Sequence, residues 1–428
     1  MKADFSNLPF CPADIVLPQD CDYDKWSVVA CDQYTSQPEY WQRVEERVGR
    51  APSTLRLILP ESSLDGPHVE MDVMEINSTM SRYVREGRFK TLPGAMVYVE
   101  RTLFNGRVRR GLVGMADLNA YDYEPGSDAL IRATEGVVMS RIPPRVAVRK
   151  NAPIELPHVM LLTDDPERTV IEPLAAQTGV MEPLYDFELM EQGGHIRGWR
   201  LTEEQLEQVA GALTALADPA SFHARYDAKG RAVMLFAMGD GNHSLATAKE
   251  CYERQKRLIP REKWDNLPAR FALCELVNLH DDSLEFEPIH RVVFHTEPER
   301  LLEALIGYYP GAGWGEAQED GLPLRYVYAG TEGVVTLPRS AHRLAVGALQ
   351  SFLDGYLADH PGRVDYIHGE DVAREFAARP GNIAFLLPPM AKEELFPSVI
   401  HSGVLPRKTF SMGEAHDKRF YLEARKIR

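Results

Sequence analysis

The sequence predicts an α+β protein with mixed sheets and two regions. Short β-rich apolar runs are mixed with segments of helical period along the chain. Two of these runs flank Asn105–Gly106, the strongest short-range signal of a β-hairpin. The 30 prolines and 31 glycines are spread over 428 residues, which favours many short elements separated by turns.

Local signals define the elements of the first region. We expect, in order, strands over 13–18 and 26–32, helices over 39–49 and 71–87, the hairpin over 95–118, a strand over 157–165, a strand and a helix within 195–216, a strand and a helix within 231–258, and strands on either side of Asp281–Asp282 within 271–294. Gly49 and Gly87 end the first two helices. Thr202 and Gln205 have the spacing of a capping box, which starts the third.

The order of elements changes after about residue 297. Beyond it we expect helices over 299–309 and 350–360, a hairpin over 324–338, a buried strand over 382–389 and a basic, strand-like tail. No linker marks the change. We therefore place an N-terminal and central region at 1–297 and a C-terminal α+β region, packed on it, at 298–428.

Charge excludes one class of function. Lys and Arg number 48 against 63 Asp and Glu, so the formal net charge is −15. This acidity argues against coating nucleic acid, because that requires Lys and Arg to neutralise phosphates. Two segments are basic, since residues 132–150 and 405–428 each carry a net +4. If they converge, they form a positive pocket that suits a small phosphorylated ligand better than a polymer.

The chain shows no targeting or covalent framework. It has no apolar run of 18 residues and no apolar segment typical of a secretory signal near its start, so we expect no membrane partner. The five cysteines form no CxxC pair, and neither a disulfide framework nor a zinc site is expected. These features predict a cytoplasmic protein.

The most informative segment is GDGNHS at 239–244. It joins a nearly all-apolar strand to a helix expected to begin near Ser244. Gly239 and Gly241 allow a tight turn and a close approach of the backbone to a ligand. The N–H groups at the start of the helix attract anions, phosphate above all.

Three interpretations of this turn stay open. It is a structural strand-to-helix turn, a dinucleotide-binding fingerprint, or a phosphate-binding loop with catalytic side chains. The second is weakened because serine replaces the third glycine and no acidic strand end follows about 20 residues later. The third accounts for Asp240, Asn242 and His243, which place acid–base and hydrogen-bonding groups inside a glycine turn.

Five segments together resemble the domain of unknown function 1015 family. They are IRATE at 131–135, GDGNHSLATA at 239–248, LVNLHDDSLEFEPIHRVV at 276–293, IAFLLPP at 383–389 and LPRKTF at 405–410. The turn is also similar to the DGHHR-type motif of the ParB/sulfiredoxin-like superfamily, whose members include free-serine kinases. The resemblance covers most of the chain and depends on the order of the segments.

The resemblance implies a ParB/sulfiredoxin-like core that binds the phosphates of a nucleotide at this turn with Mg²⁺. It implies that Asp240 is an essential carboxylate, which we take as the metal ligand, and that His243 contacts phosphate. The remaining residues of the phosphate site would be Gly239, Gly241, Asn242 and Ser244. The implied activity is a kinase that phosphorylates free L-serine from ATP, ADP or pyrophosphate.

This sequence departs from the motif at two positions. Asn242 stands where the motif has its first histidine, and Ser244 stands where it has arginine. That arginine often binds phosphate, so another cation must substitute for it. The turn also lacks the sulfiredoxin cysteine, which argues against sulfinic-acid repair.

The basic segment 132–150 offers candidates for the missing cation. They are Arg132, Arg141, Arg145, Arg149 and Lys150. The arginine fork matches phosphate oxygens, and Arg145 and Arg149 share a face whether the segment is helix or strand. The alternative is a solvated basic face. Glu135 is a candidate general base or Mg²⁺ ligand, with a surface ion pair as its alternative.

Asp32 is a second candidate for the acid–base role. It follows a predicted strand, together with Gln33, Thr35 and Ser36, and this group suits a small polar substrate. Phosphoryl transfer to an alcohol needs a carboxylate for the hydroxyl proton and oxygen ligands for Mg²⁺. Asp32 can supply either, or it can simply cap a turn.

Two further basic sites lie in the last third of the chain. His290 and Arg291 precede a strand, and they either bind phosphate or are packed groups that fix a neighbouring loop. Arg407 and Lys408 form either a phosphate clamp or an exposed basic strand.

The leading hypothesis is a cytoplasmic phosphotransferase of the free-serine-kinase type. The expected partners of the protein are a nucleotide and a small-molecule substrate such as L-serine. Assembly as a homodimer is left open. Two rivals remain: a ParB-like nucleotide switch without an acceptor, and a non-catalytic scaffold. Motifs of zinc peptidases, P-loop enzymes and α/β-hydrolases are absent from the sequence.

Overall fold

The computed structural model describes residues 3–35, 37–64, 66–315 and 321–428. Its helices are α1 Tyr23–Trp26, α2 Pro38–Val48, α3 Val69–Arg85, α4 Ile142–Arg149, α5 Glu203–Leu216, α6 Pro219–Tyr226, α7 Asn242–Lys256, α8 Pro298–Tyr308, α9 Ala345–Asp359, α10 Glu370–Ala377 and α11 Leu395–Ser402. Among these described helices, none is long and apolar enough to cross a membrane.

The strands of the described residues are mostly short. They are β1 Phe10–Cys11, β2 Ala13–Pro18, β3 Phe89–Ala95, β4 Val97–Thr102, β5 Val108–Asp117, β6 Tyr121–Asp122, β7 Ile131–Arg132, β8 Ile154–Glu155, β9 Met160–Thr163, β10 Glu182–Glu188, β11 His195–Arg200, β12 Phe236–Asp240, β13 Phe271–Asn278, β14 Phe286–Phe294, β15 Gly313–Trp314, β16 Gly321–Tyr328, β17 Thr331–Pro338, β18 Arg363–His368, β19 Ile383–Leu386, β20 Phe410–Met412 and β21 Ala424–Lys426. Together with the helices, they confirm the predicted α+β class.

The chain divides into two compact units. One consists of residues 1–284 and 413–428, and the other of residues 285–412. The sequence placed the division near residue 297 and did not foresee that the tail returns to the first unit. The physical reason is strand pairing: β14 pairs with β18, β19 and β20, whereas β21 pairs with β2 and β8.

The first unit contains a ten-stranded mixed sheet. Its order is β10-β11-β4-β5-β13-β9-β12-β7-β6, with β1 paired to β5. The pairs β13–β9, β12–β7 and β6–β7 are parallel, and the others are antiparallel. Strand β13 is buried at every residue after Phe271, as expected of a central strand covered on both faces. The hairpin at Asn105–Gly106 is confirmed, because β4 and β5 pair around it.

A smaller antiparallel sheet in the same unit has the order β3-β2-β21-β8. The strand expected over 26–32 is wrong. Helix α1 ends at Trp26, and only Val29 makes an isolated bridge, to Phe420. Side chains replace the ladder here: Thr54 donates its hydroxyl to the Trp26 carbonyl at 2.7 Å and accepts from the Val28 N–H at 3.3 Å.

Most other elements of the first unit follow their sequence signals. Helix α2 ends at Gly49, whose φ is +55°, and the capping box of Thr202 and Gln205 opens α5. The basic segment after residue 141 is helical, which decides between the two alternatives for it. Prolines in the first turn of α4 favour this outcome, because they suit the start of a helix.

The second unit is built on one antiparallel sheet. Its order is β15-β17-β16-β19-β14-β18, with β20 paired to β14. The predicted hairpin β16–β17, the buried strand β19 and helices α8 and α9 are all confirmed. Strands β13 and β14, expected on either side of Asp281–Asp282, lie in different sheets and different units.

Candidate functional site

The turn between β12 and α7 has the tight geometry that its glycines predict. The register of β12 against β9 shifts at Gly239, between Met238 and Asp240. Gly241 has φ +81°, and a Cβ added there would lie 3.1 Å from the Val159 Cα. A side chain at this position is therefore disfavoured both by the backbone conformation and by the limited space. Helix α7 begins at Asn242, two residues before the expected start at Ser244.

Asp240 projects from this turn toward the chain's tail. Its Oδ1 accepts the N–H of Gly241 at 2.9 Å, and its Oδ2 lies 3.3 Å from the Nζ of Lys418. Both side chains are mostly buried, with exposed fractions of 21 % and 11 %. Lys418 therefore places a positive charge beside the turn, where the sequence required a cation to replace the motif's arginine.

Asp32 joins the same cluster from the other end of the sequence. Its Oδ2 lies 3.9 Å from the Nε2 of His158, and its Oδ1 accepts the side-chain N–H of Gln33 at 3.0 Å. Burial raises the pKa of Asp32, but His158, the Gln33 hydrogen bond and Lys418 outweigh it and hold that pKa below its usual value. Asp32 is thus an ionised carboxylate near neutral pH, close enough to Lys418 to feel its charge.

His158 links Asp32 to the start of α7. The Nε2 of His158 lies 2.9 Å from the hydroxyl of Ser244, and its Nδ1 lies 2.8 Å from the Tyr421 hydroxyl. That hydroxyl in turn accepts the backbone N–H of Cys31 at 3.2 Å. The imidazole is 7 % exposed. It is therefore held at both ring nitrogens, and its orientation is set by residues from three distant segments.

Two residues of the turn face the segment 133–138. The Nε2 of His243 accepts the N–H of Val138 at 3.2 Å. Thr134 donates its hydroxyl to the carbonyl of Met238 at 2.8 Å, which brings the loop that carries Glu135 beside the end of β12. The parallel pairing of β7 and β12 explains this, because parallel strands end at the same edge of a sheet.

Asn242 provides a polar atom without a partner. Its side-chain oxygen is buried and has no hydrogen bond in the structure. A buried acceptor of this kind carries a free-energy cost unless a donor or cation satisfies it. Several other buried side-chain atoms among the described residues also have no partner, and this one lies in the first turn of α7.

Buried arginines hold the tail that carries Lys418. Arg101 donates to the carbonyls of His416 and Lys418, at 2.9 and 3.3 Å, and Arg109 donates to that of Asp417 at 2.7 Å. These three carbonyls are consecutive, so their backbone is fixed on the sheet. The guanidinium groups therefore position the backbone that carries Lys418.

The arginines of 132–150 are paired within the protein. Arg132 donates to the carbonyls of Ala129 and Ala232, both at 2.8 Å. Arg141 and Arg145 reach Glu61 at 3.3 and 2.8 Å. These three arginines, which the sequence offered as phosphate ligands, are therefore bound to backbone carbonyls and to Glu61 in this structure.

The two remaining basic residues of the segment 132–150 differ in how they are paired and exposed. Arg149 forms an ion pair with Glu155, and Lys150 is exposed at the end of α4. Of the two basic segments that the sequence expected to converge on the turn, the tail supplies the cation that meets Asp240, which is Lys418 rather than an arginine of 132–150.

His290, Arg291 and Lys408 belong to the second unit. His290 accepts the Leu387 N–H at its Nδ1, at 3.1 Å, and burial lowers its pKa. Arg291 donates to the carbonyls of Arg407 and Lys408, at 2.8 and 2.7 Å. Arg291 thus fixes a neighbouring loop, one of the two roles foreseen for it. Lys408 and Arg407 have exposed side chains.

The donor set suits Mg²⁺ brought by phosphates. Among the described residues, no three His, Cys, Asp or Glu side chains form a metal-binding group. Mg²⁺ commonly takes only one or two carboxylates together with substrate phosphates and water. Asp240 and Asp32 supply carboxylate oxygens, and Asn242 an unpartnered amide oxygen, which are the types of ligand that such an ion would use.

Sequence reasoning found Asp32, Asp240 and the turn but missed His158 and Lys418. Neither missed residue belongs to a motif. His158 precedes β9 in an apolar run, and Lys418 lies in a tail whose basic character was noted as a whole. Ser36, named with Asp32, lies outside the described residues.

The fold and the site define an α+β protein whose strand–turn–helix unit gathers carboxylates, a lysine and a histidine. The chain belongs to the family described as "Protein of unknown function (DUF1015)", which matches residues 15–355. This confirms the resemblance inferred from the five segments. A comparison with curated proteins gives no match.

Several solved structures are similar at low identity. One is a free serine kinase in complex with AMP, at 11 % identity and TM-score 0.39, covering 73 % of this chain and 91 % of that chain. A mutant of free serine kinase in complex with ADP has 11 % identity and TM-score 0.40, covering 75 % and 93 %. SbnI with a C-terminal truncation, from Staphylococcus aureus, has 9 % identity and TM-score 0.37, covering 70 % and 82 %. Similarity at this level carries no conclusion about this chain's activity.

Proposed function

We propose that this protein is a small-molecule phosphotransferase, which moves a phosphoryl group from a nucleotide or pyrophosphate to a hydroxyl, with free L-serine as the reference acceptor. One observation carries the proposal. Two carboxylates from distant segments, Asp32 and Asp240, lie with Lys418 at the start of α7. Phosphoryl transfer needs such a combination of a proton acceptor, oxygen ligands and positive charge.

Each group then has a role that its surroundings support. The first turn of α7 and the Nζ of Lys418 bind the donor phosphates, since both attract negative charge. Asp240 and Asn242 would hold Mg²⁺, which would supply charge neutralisation to the donor phosphates. His243 acts as a second phosphate contact, and Glu135 is an alternative base.

Asp32 accepts the proton of the acceptor hydroxyl. The acceptor oxygen forms a bond to the transferred phosphorus as the bond to the leaving phosphate oxygen breaks. The hydroxyl proton passes to Asp32 and then to solvent. His158, whose Nε2 lies 3.9 Å from the Asp32 carboxylate, acts as a positioning residue beside it. The five cysteines are free thiols, which suits the reducing cytoplasm that this proposal includes.

The test is direct. The protein is incubated with Mg²⁺ and ATP, ADP, CTP or pyrophosphate, with and without L-serine, while phosphoserine and released phosphate are measured. We expect phosphoserine with at least one donor, and a loss of about tenfold or more in Lys418→Met. Lys426→Met is the matched control, because Lys426 is exposed in the same tail. Phosphate release without any phosphorylated acceptor would support the nucleotide switch instead.

A further inference from the structure

A cavity of about 150 Å³ lies in the first unit against the first turns of α7. Its wall is mainly apolar, with contributions from the segment after Ser53, from helices α3, α4 and α7, and from strands β8 and β13. Representative lining residues are Leu57, Met80, Val148, Ile154, Leu245 and Leu273. A cavity of this size and lining has room for a group as large as a benzene ring.

The cavity adjoins the candidate site. Cys31, His158, Ser244 and Tyr421 line it and are linked by hydrogen bonds, and the Nε2 of His158 lies 3.9 Å from the Oδ2 of Asp32. A ligand whose polar end lies at Asp32 would therefore have an apolar wall close by.

The polar side chains of the wall have partners within the protein. Arg145 pairs with Glu61 at 2.8 Å, and Arg149 pairs with Glu155. Burial raises the pKa of the Cys31 thiol to about 12, so this group is uncharged. The wall thus selects an apolar group over a charged one, because a charge placed there would lose its hydration without gaining a counter-ion.

We propose that this cavity binds an apolar, ring-sized substituent of the acceptor, so that the preferred substrate is a hydroxyl compound carrying such a group. This inference rests on the proposed function, because it assigns the acceptor class for the same carboxylate site. Free L-serine has no apolar substituent to place in the cavity. An aromatic or branched β-substituent fills it and removes apolar surface from water.

The first test compares two acceptors with wild-type protein. L-threonine and L-threo-3-phenylserine both carry a secondary hydroxyl and differ in a methyl against a phenyl group. With Mg²⁺ and the active donor, we expect kcat/KM for phenylserine to exceed that for threonine by at least about tenfold, mostly through KM. Equal values, or a preference for threonine, would overturn the cavity assignment and leave the phosphotransferase proposal intact.

The second test fills the cavity. Ala248 lines it from α7 and is 2 % exposed. Ala248→Leu should reduce the phenylserine-to-threonine ratio by at least about tenfold, whereas Ala248→Ser, which leaves the volume open, should keep most of it. A ratio unchanged in Ala248→Leu would contradict the proposal. Thermal unfolding of both variants identifies a fold defect, and the wild-type comparison stands even if Ala248→Leu fails to fold.

A binding measurement with a fluorinated acceptor distinguishes failure of the cavity assignment from failure of the proposed phosphotransferase activity. In ¹⁹F NMR, the signal of 3-(4-fluorophenyl)serine should broaden when wild-type protein is added, both with and without ATP, because the compound binds. Broadening without phosphoryl transfer to any acceptor would refute the proposed phosphotransferase activity, and it would still show that the cavity binds the ring. Displacement of the fluorinated compound by ATP would also overturn the acceptor assignment, because a phosphate donor and its acceptor must bind at the same time.

Discussion

Replacing Gly241 by alanine tests the geometry of the turn at the start of α7. Gly241 has φ +81°, a conformation that costs a non-glycine residue about 1–2 kcal/mol. Its added Cβ would also lie 3.1 Å from both the Cα and the Cγ2 of Val159. A backbone atom cannot move away as a flexible side chain does, and this crowding should add about 1–2 kcal/mol. We therefore expect a total loss of about 2–4 kcal/mol.

Gly230 provides the control for this substitution. Its φ is also +81°, but a Cβ added there meets nothing within 4 Å. Gly230→Ala should therefore show the conformational cost alone, about 1–2 kcal/mol. The difference between the two variants isolates the crowding against Val159.

Urea-induced unfolding, followed by far-UV circular dichroism, measures both free energies of unfolding. Gly241→Ala should also weaken nucleotide binding in calorimetry, because it displaces the first turn of α7, whereas Gly230→Ala should not. Equal losses of stability in the two variants would refute the close approach of the turn to Val159.

Three further predictions concern ionic groups. Glu275→Gln removes one of the two buried carboxylates that pair with Arg419, the other being Glu423, and we expect urea unfolding to show a loss of about 1.5–3 kcal/mol; a loss below about 0.5 kcal/mol would contradict a buried pair. Glu61 pairs with Arg141 and Arg145 nearer the surface, so Glu61→Gln should change the free energy of unfolding by less than about 1 kcal/mol. A larger change would indicate that Glu61 has a role beyond these ion pairs. Burial raises the pKa of Glu155, but Arg425 and Arg149 outweigh it and hold that pKa below its usual value. Its stabilisation is therefore present above the unfolded pKa of about 4.3 and is lost as the pH falls through the folded pKa. The acid-side slope of stability against pH should be shallower in Glu155→Gln, and an unchanged slope would count against the pairing.

Local sequence signals predicted the elements whose geometry depends on a few neighbouring residues. The Asn105–Gly106 turn, the Gly49 helix end and the Thr202–Gln205 capping box are set by a few adjacent residues. The strand expected over 26–32 failed because side chains of a later segment take its backbone hydrogen bonds. The boundary near 297 differs from the observed division because strand partners of β14 lie far along the chain.

The candidate site shows the same limit. The sequence singled out Asp32 and the turn at 239–244, since carboxylates and glycines at strand ends have a recognisable chemistry. It could not find His158 or Lys418, whose local surroundings carry no motif. It also favoured the arginines of 132–150, because charge was visible while their partners, such as Glu61, were not.

The sequence by itself determined the α+β class, the family and the turn that begins α7, because these follow from periodicity, glycine chemistry and ordered motifs. Only the tertiary structure decided which cation meets Asp240. Lys418 reaches it because Arg101 and Arg109 bind three consecutive carbonyls of the tail and fix that backbone on the sheet. Contacts between residues hundreds of positions apart depend on how sheets close around a core, and no local pattern encodes them.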